Sequence, residues 1–281
     1  MHKRLAACQI LTYDDPLRSA EKVLHWMGEA AAAQVDIVAF PEACLCGYCC
    51  DDAYWLSADR RAFAEAEAAV VEAAGRLGIG VVLGTVHWSE EILYNSVLVI
   101  DASGQVCGRY AKTHLAERWP SAGQHLPIYD VGAVPSCFII CHDVRYPELV
   151  RLPAARGAKV CFYCSNESGL LSEHKLSAYR AMPIARATEN GIFLVMANAP
   201  AHAADMHSPS QSHGNSKIVH PDGNVLVEAG HFEERLVVAD VDIGEATGHI
   251  ARRAVDDDTV LRAWMRSGLD LVDMPRHQNG A

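Results

Sequence analysis

No stretch of this 281-residue sequence approaches the roughly 18 uninterrupted apolar residues of a membrane-crossing helix. The amino terminus, MHKRLAACQI, carries basic residues, but its apolar run stops at Gln9, too short for the core of a secretory signal. There is no run of Lys or Arg and the formal net charge is −11, which argues against a nucleic-acid or anionic-membrane surface. Repeats, low-complexity blocks and Ser/Pro/Gly-rich linkers are also missing, so nothing divides the chain. The expectation is a cytoplasmic protein with a small-molecule partner, built as a single domain over residues 1–281.

What is present is a chain half of whose residues are hydrophobic, with ten cysteines. A core of this size forms without disulfide staples. In a reducing compartment a cysteine is packed, metal-bound or catalytic rather than cross-linked.

Apolar periodicity alternates between strand and helix. Residues 4–10 and 35–40 read as strands, and between them Leu17, Ala20, Val23, Leu24, Met27 and Ala31 mark a helix over 16–34. Phe63, Ala66, Val70, Ala73 and Leu77 mark a second helix, with Gly78 placed to end it as a left-handed cap. Strands follow over 80–86, 94–101 and 105–114, the last two joined as a hairpin by Ala102-Ser103-Gly104. Residues 136–141 form a strand leading to a helix that begins at Pro147, and residues 159–164 repeat the strand pattern. Ser172 is placed to cap a long helix ending at Asn190-Gly191. Strands over 192–197, 216–220, 224–228 and 236–241 complete the pattern, with a helical portion at 260–265 in the tail. The fold class is α/β, with mixed sheets and outer helices.

Three segments place a chemically capable side chain where an apolar strand ends. In Phe40-Pro41-Glu42 the carboxylate stands just past the proline that stops a buried strand. Burial raises the pKa of such a group and suits it to proton transfer; in a solvated loop it would have no such use. In Arg109-Tyr110-Ala111-Lys112-Thr113-His114-Leu115, strand alternation puts Tyr110, Lys112 and His114 on one face. Lys112 can then project inward to stabilise an oxyanion; the plain alternative is an edge-strand lysine that discourages aggregation. Cys141 lies between the apolar strand and the Pro147 helix, at a turn where a nucleophile is exposed and the following backbone N–H groups point to a developing oxyanion. Otherwise it is a small buried hydrophobe.

In this order Glu42, Lys112 and Cys141 resemble the catalytic set of the nitrilase superfamily of carbon–nitrogen hydrolases. The resemblance runs over most of the chain: Gln9, AFPEACLCGY at 39–48, LGTV with YNS at 83–96, GRYAKTHL at 108–115, CHDVRYPE at 141–148, RATEN at 186–190 and GNSKIVHPDG at 214–223. It implies a four-layer αββα sandwich that forms homodimers or larger homo-oligomers through its outer helices, with the tail at 244–281 packing on the partner subunit. It also implies that Glu42 takes the proton of Cys141, whose thiolate attacks the substrate carbon while Lys112 and the His142 backbone N–H hold the oxyanion. Glu42 would then protonate the leaving ammonia and activate the water that hydrolyses the Cys141 thioester. No metal or organic cofactor is implied. A second glutamate that orients the lysine is carried over to Glu117, six residues before Gly123. Tyr48, His142, Arg145 and Asn166 are the candidates for substrate binding. The chain departs from the family pattern at His142, where a larger aromatic residue is commoner. It departs again at CFYCSNES, 161–168, where many relatives carry a proline and an aromatic residue.

CHDVRYPE resembles the amidase side of the superfamily, including ω-amidases and relatives acting on deaminated glutathione, rather than the Trp-Glu of nitrile-hydrolysing enzymes. An amide is therefore the expected substrate, with an N-carbamoyl amine or a nitrile as alternatives and a catalytically silent binding protein as the non-enzyme reading. Arg145 either attracts a substrate carboxylate or forms an ion pair with Asp143 and Glu148. Cys44-x-Cys46-x-x-Cys49-Cys50 with Asp51 and Asp52 invites zinc, but no second Cys or His pair closes a tetrahedral site nearby. Cys161-x-x-Cys164 lies in a strand rather than at a helix amino terminus, so packing is expected, not redox chemistry. His202, His207 and His213 share no ligand-bearing face and read as a loose loop at the pocket mouth.

Overall fold

A computed structural model describes residues 1–48, 52–167, 176–202, 212–257 and 259–274. Its strands are β1 (His2–Gln9), β2 (Ile37–Ala39), β3 (Gly80–Ser89), β4 (Ile92–Ile100), β5 (Val106–Ala111), β6 (Leu126–Pro127), β7 (Tyr129–Val131), β8 (Val134–Ile140), β9 (Val160–Ser165), β10 (Phe193–Asn198), β11 (Lys217–Val219), β12 (Val225–Glu228), β13 (Arg235–Asp242) and β14 (Val272–Asp273). Its helices are α1 (Pro16–Ala32), α2 (Asp52–Leu56), α3 (Arg60–Leu77), α4 (Glu148–Ala155), α5 (Leu176–Thr188), α6 (His249–Asp256) and α7 (Arg262–Leu269).

Two six-stranded sheets form, in the orders β13-β1-β2-β3-β4-β5 and β12-β11-β10-β9-β8-β7, and a small third pairs β14 with β6. Each large sheet is mixed: β1-β2-β3 and β8-β9-β10 run parallel, with antiparallel neighbours outside them. Strand alternation creates the layers. In β1, Leu5 and Ala7 join Ile37, Val82, Phe138 and Val195 in the core between the sheets. Ala6 and Cys8 face the other way and join Val23 and Met27 of α1 and Val70 and Ala73 of α3. Helices α4 and α5 cover the second sheet, giving the αββα order expected from the resemblance. Every strand of the parallel centres is therefore buried on both faces, which explains their continuous apolar runs.

Local signals account for the helix ends. Asp15 caps α1 by accepting from Leu17 N and Arg18 N, with Pro16 in the first turn. Gly78 ends α3 with φ 69°, the left-handed cap expected of it.

Some boundaries differ from expectation. Strand β5 ends at Ala111, so Lys112 and His114 lie past it. The tail holds two helices, α6 and α7, where the pattern marked one; α6 is polar on most of its surface, burying only Ala251 and Val255. As far as Met274 the tail folds back on its own chain: β14 pairs with β6, and the Arg156 side chain reaches Leu269 O and Asp270. Ser172, the expected cap of the helix that ends at Asn190-Gly191, lies outside the described residues. No helix among the described residues is long and apolar enough to cross a membrane.

Candidate active site

The site forms where strand ends of the two sheets meet. After β2 the chain turns through Pro41 and Glu42 directly against β3. A Cβ on Gly84 would lie 1.9 Å from Pro41 O, so only glycine lets β3 pass beneath this turn. This is the physical reason for the glycine of LGTV. Glu42 N donates to Ser165 O at 3.3 Å, tying the turn to the end of β9 in the other sheet.

Lys112 is fixed through its backbone. Its N–H donates to Asn95 O and its carbonyl accepts from Gly123 N, both at 2.8 Å. A Cβ on Gly123 would meet Ala111 O at 2.3 Å, so the glycine is needed for this close return of the chain. The ammonium donates to Glu42 Oε1 at 2.8 Å and to Glu117 Oε1 at 2.6 Å, and Lys112 and Glu42 are wholly buried. Glu42 Oε1 also accepts from Asn95 Nδ2 at 2.7 Å, and its Oε2 from Asn166 N at 2.9 Å. Glu117 accepts from the Tyr48 hydroxyl and, at 3.2 Å, from Ala116 N. Trp119 stacks on Trp55 with ring centroids 4.4 Å apart, anchoring the loop that carries Glu117.

Two carboxylates sharing one ammonium do not ionise alike. Burial opposes the charge on Lys112, yet the negative groups around it outweigh that and hold its pKa well above the ordinary lysine value. Burial also opposes ionisation of Glu117, but Lys112 and the Tyr48 hydrogen bond leave its pKa below the usual carboxylate value. Glu42 is pushed up to about 7 by burial, with Lys112 opposing and the Glu117 charge adding. Glu117 thus remains the ionised partner of Lys112, while Glu42 is poised to exchange a proton near neutrality.

Cys141 follows β8 with φ 44°, in the left-handed region, and opens a 3-10 turn over Cys141–Arg145. Asp143 fastens this turn to the segment bearing Lys112. Its Oδ2 accepts from Ile140 N at 3.0 Å and from the Tyr110 hydroxyl at 2.8 Å, and its Oδ1 accepts from His114 N at 2.8 Å. The thiol is not exposed, as a strand-to-helix nucleophile was expected to be. Cys141 is 5% accessible and packs into the core cluster that holds Ile140, Val144 and Tyr163. Its Sγ donates to Glu167 Oε1 at 3.1 Å and lies within 4.8 Å of an oxygen of Glu42 and of Glu117. Burial, then the charges of Glu167 and Glu42, hold the thiol well above the ordinary cysteine range, with Lys112 opposing. At rest Cys141 is a neutral thiol.

The other candidates divide. Tyr48 reaches the site through Glu117, and Asn166 through its backbone. His142 is half-buried with Nε2 3.4 Å from the Tyr146 hydroxyl, and burial followed by Arg145 and Lys112 lowers its pKa, so its imidazole is neutral at pH 7. Arg145 does not form the ion pair with Asp143 or Glu148. The Asp143 oxygens are occupied by Tyr110, His114 and Ile140, and Arg145 instead lies over the Tyr179 ring with Nε 3.3 Å from its hydroxyl. Motif spacing assigns no role to Asn95, although YNS carries it, nor to Glu167 in the departing CFYCSNES segment.

Glu42, Glu117 and Cys141 are also a donor set of the kind that holds metals, but Lys112 lies between the two carboxylates and supplies the positive charge there. Cys8, Cys44, Cys107, Cys137, Cys141, Cys161 and Cys164 are thiols outside any disulfide. Cys161 and Cys164 are buried on opposite faces of β9, and Cys161 is aligned with Cys137 of β8. Cys46 donates to Ala43 O at 3.2 Å. Cys49, Cys50, Asp51 and His207 lie outside the described residues. Buried His213 is pulled down to about 4, chiefly by burial, whereas His202 is exposed.

A buried thiol beside two glutamates that share a charged lysine can support nucleophilic and proton-transfer chemistry at one point. The carbon-nitrogen hydrolase family pattern matches residues 4–249, and the chain belongs to that family, as an amidase- or nitrilase-type C–N hydrolase. It is 29% identical over 243 residues to a 2-oxoglutaramate amidase of Bacillus subtilis (strain 168), covering 84% of this chain and 89% of that protein. It is 30% identical over 241 residues to a nitrilase of Pyrococcus abyssi, covering 84% and 86%. Among solved structures, an amidase from Nesterenkonia sp. AN1 in complex with acrylamide superposes with TM-score 0.80 at 24% identity, covering 94% of this chain and 97% of that one.

Proposed function

We propose that this enzyme hydrolyses a small amide to a carboxylic acid and ammonia through a thioester on Cys141, without a metal or organic cofactor. The observation that carries this reading is the bridging of Glu42 and Glu117 by Lys112 beside the buried Cys141 thiol. Attack by Sγ on the substrate carbonyl puts negative charge on its oxygen, which the Lys112 ammonium and the His142 backbone N–H stabilise. Glu42, poised about 7, gives a proton to the departing nitrogen and takes one from the water that hydrolyses the thioester. Glu117 keeps Lys112 charged and in place. Tyr48, His142, Arg145 and Asn166 border the acyl group.

The names of relatives support an amide. One is a 2-oxoglutaramate amidase, and a glutamate-to-glutamine mutant of the Nesterenkonia amidase carries the acetamide moiety of fluoroacetamide at its active-site cysteine. The nitrilase relative keeps nitriles as a second reading, with N-carbamoyl amines beside them. Ammonia release from a panel of small amides, ω-amides, N-carbamoyl compounds and nitriles decides among these. Amides are expected to turn over and Cys141→Ala to be inactive; release from nitriles alone reassigns the substrate, and release from none favours a silent binding protein.

The same reading takes residues 1–281 as one functional domain that works in the cytoplasm as a homodimer or larger homo-oligomer, with neither nucleic acid nor membrane as partner. Its support is the exposed apolar surface on the tail, including Val260, Trp264 and Leu271. Sedimentation of the full chain tests the assembly; a monomer at micromolar concentration contradicts it.

A further inference from the structure

We propose that Asn95 is a positioning residue that reserves Oε1 of Glu42 for the negative charge, so that Glu42 takes and returns its proton through Oε2. The proposal rests on the amide hydrolysis put forward above and gives a task to the asparagine of YNS. In β4, Val97 and Val99 face the core between the sheets, and strand alternation continues that face to Asn95, where the strand reaches Glu42. Asn95 is wholly buried.

The two oxygens of Glu42 are held unequally. Oε1 accepts from Asn95 Nδ2 at 2.7 Å and from Lys112 Nζ at 2.8 Å, whereas Oε2 accepts from Asn166 N at 2.9 Å. Two donors, one of them a cation, stabilise charge on Oε1 and oppose a proton there, so the proton goes to Oε2. Oε2 lies toward the end of β9, where the residue after Asn166 accepts from Cys141 Sγ at 3.1 Å. Asn95 Oδ1, by contrast, is buried with no hydrogen-bond partner. A side chain kept for packing alone would be served by leucine without that unpaired oxygen, so the Nδ2 bond to Glu42 is what the amide contributes. The backbone of Asn95 does separate work, its carbonyl accepting from Lys112 N at 2.8 Å. A side-chain substitution therefore leaves the tether of Lys112 in place.

The protons balance along this route. As Cys141 Sγ bonds to the carbonyl carbon, the S–H proton passes to Oε2 and the carbonyl π pair moves to oxygen. Collapse breaks the C–N bond while Oε2 gives the proton to nitrogen, releasing ammonia. Water then adds to the thioester and gives its proton to Oε2, and the departing sulfur recovers that proton. The charged groups facing Glu42 among the described residues are Lys112 and Glu117; Cys141, Tyr48 and Cys164 face it as well and are kept protonated by burial. Burial pushes Glu42 up to about 7 against the pull of Lys112 and of the Asn95 bond, so removing that bond raises it further.

The test compares wild type with Asn95→Leu, which keeps the volume and loses the donor. Attack needs ionised Glu42, so wild-type kcat/KM for an amide should rise with pH through about 7. In Asn95→Leu that midpoint should move up by about one pH unit, with the rate recovering toward wild type above it; Asn95→Ala, where water can enter and donate, should shift the same way by less. A purely structural loss would lower the rate at every pH and leave the midpoint in place. Infrared difference spectra taken on either side of the midpoint assign the oxygen, with the Glu42 band identified by its loss in Glu42→Gln. With the proton on Oε2, the C=O stretch belongs to Oε1 and should rise in frequency in Asn95→Leu. An unmoved midpoint in Asn95→Leu, or in Asn95→Ala if the leucine variant does not fold, overturns the proposal, as does an unchanged C=O stretch. If wild type hydrolyses no amide, the amide reading fails instead; alkylation of Cys141 by iodoacetamide, which needs the same proton transfer, then carries the comparison, and its midpoint should shift in the same way.

Discussion

On one side of the site Glu42, Lys112 and Glu117 are bonded to one another and to Asn95, Asn166 and Tyr48; on the other, Cys141 Sγ has Glu167 as its hydrogen-bond partner. The first wall holds a buried ammonium between two carboxylates, and many short hydrogen bonds offset the cost of burying that charge. The second wall holds the Cys141 thiol, which donates to Glu167 Oε1 at 3.1 Å and which, in the proposed reaction, leaves that partner to attack carbon. Left-handed backbone at non-glycine residues occurs on both walls, at Ala43 (φ 47°), Tyr48 (φ 52°) and Cys141 (φ 44°), and also away from them at Gln34, Glu90, Ala133 and Asn215.

Breaking the first wall should cost more stability than altering the second. Lys112→Met removes the ammonium from two buried carboxylates and should destabilise the fold by about 3–5 kcal/mol, read as a lowered denaturant midpoint, with activity lost. Gly84→Ala drives a Cβ into Pro41 O and displaces Glu42; about 1–3 kcal/mol of stability and a large part of kcat should go together. Tyr48→Phe removes one hydrogen bond from Glu117 and should cost about 0.5–1.5 kcal/mol, with the protein folded and partly active. On the second wall, Arg145→Gln removes the Tyr179 contact and should leave the melting temperature nearly unchanged while raising KM for an acidic amide more than it changes kcat. Equal destabilisation by Lys112→Met and Arg145→Gln would erase the distinction.

The order of strands and helices was largely legible, because period-2 and period-3.6 burial dominates these elements and their caps are local. Glu42, Lys112 and Cys141 could be singled out because each stands where an apolar strand ends, and Glu117 because the family resemblance implies a second glutamate before Gly123; the structure brings the four side chains together. Burial of Cys141 was not legible, since it depends on the neighbouring strand end rather than on its own turn. Nor was the work of Asn95 or Glu167: each acts through a side-chain bond across the fold, 53 and 26 residues from its partner, which no periodicity encodes. The Arg145 ion pair failed because Asp143 was already claimed by Tyr110 and two backbone N–H groups. Helix α6 was hidden by its polar surface.

The central claim is the covalent intermediate. Intact-protein mass spectrometry during turnover of an amide, followed by peptide mapping, should find the acyl mass on Cys141 in wild type, accumulation in Glu42→Gln acylated with an activated ester, and no such mass in Cys141→Ala. An acyl adduct that persists in Cys141→Ala, or amide turnover by that variant at the wild-type rate, would contradict it.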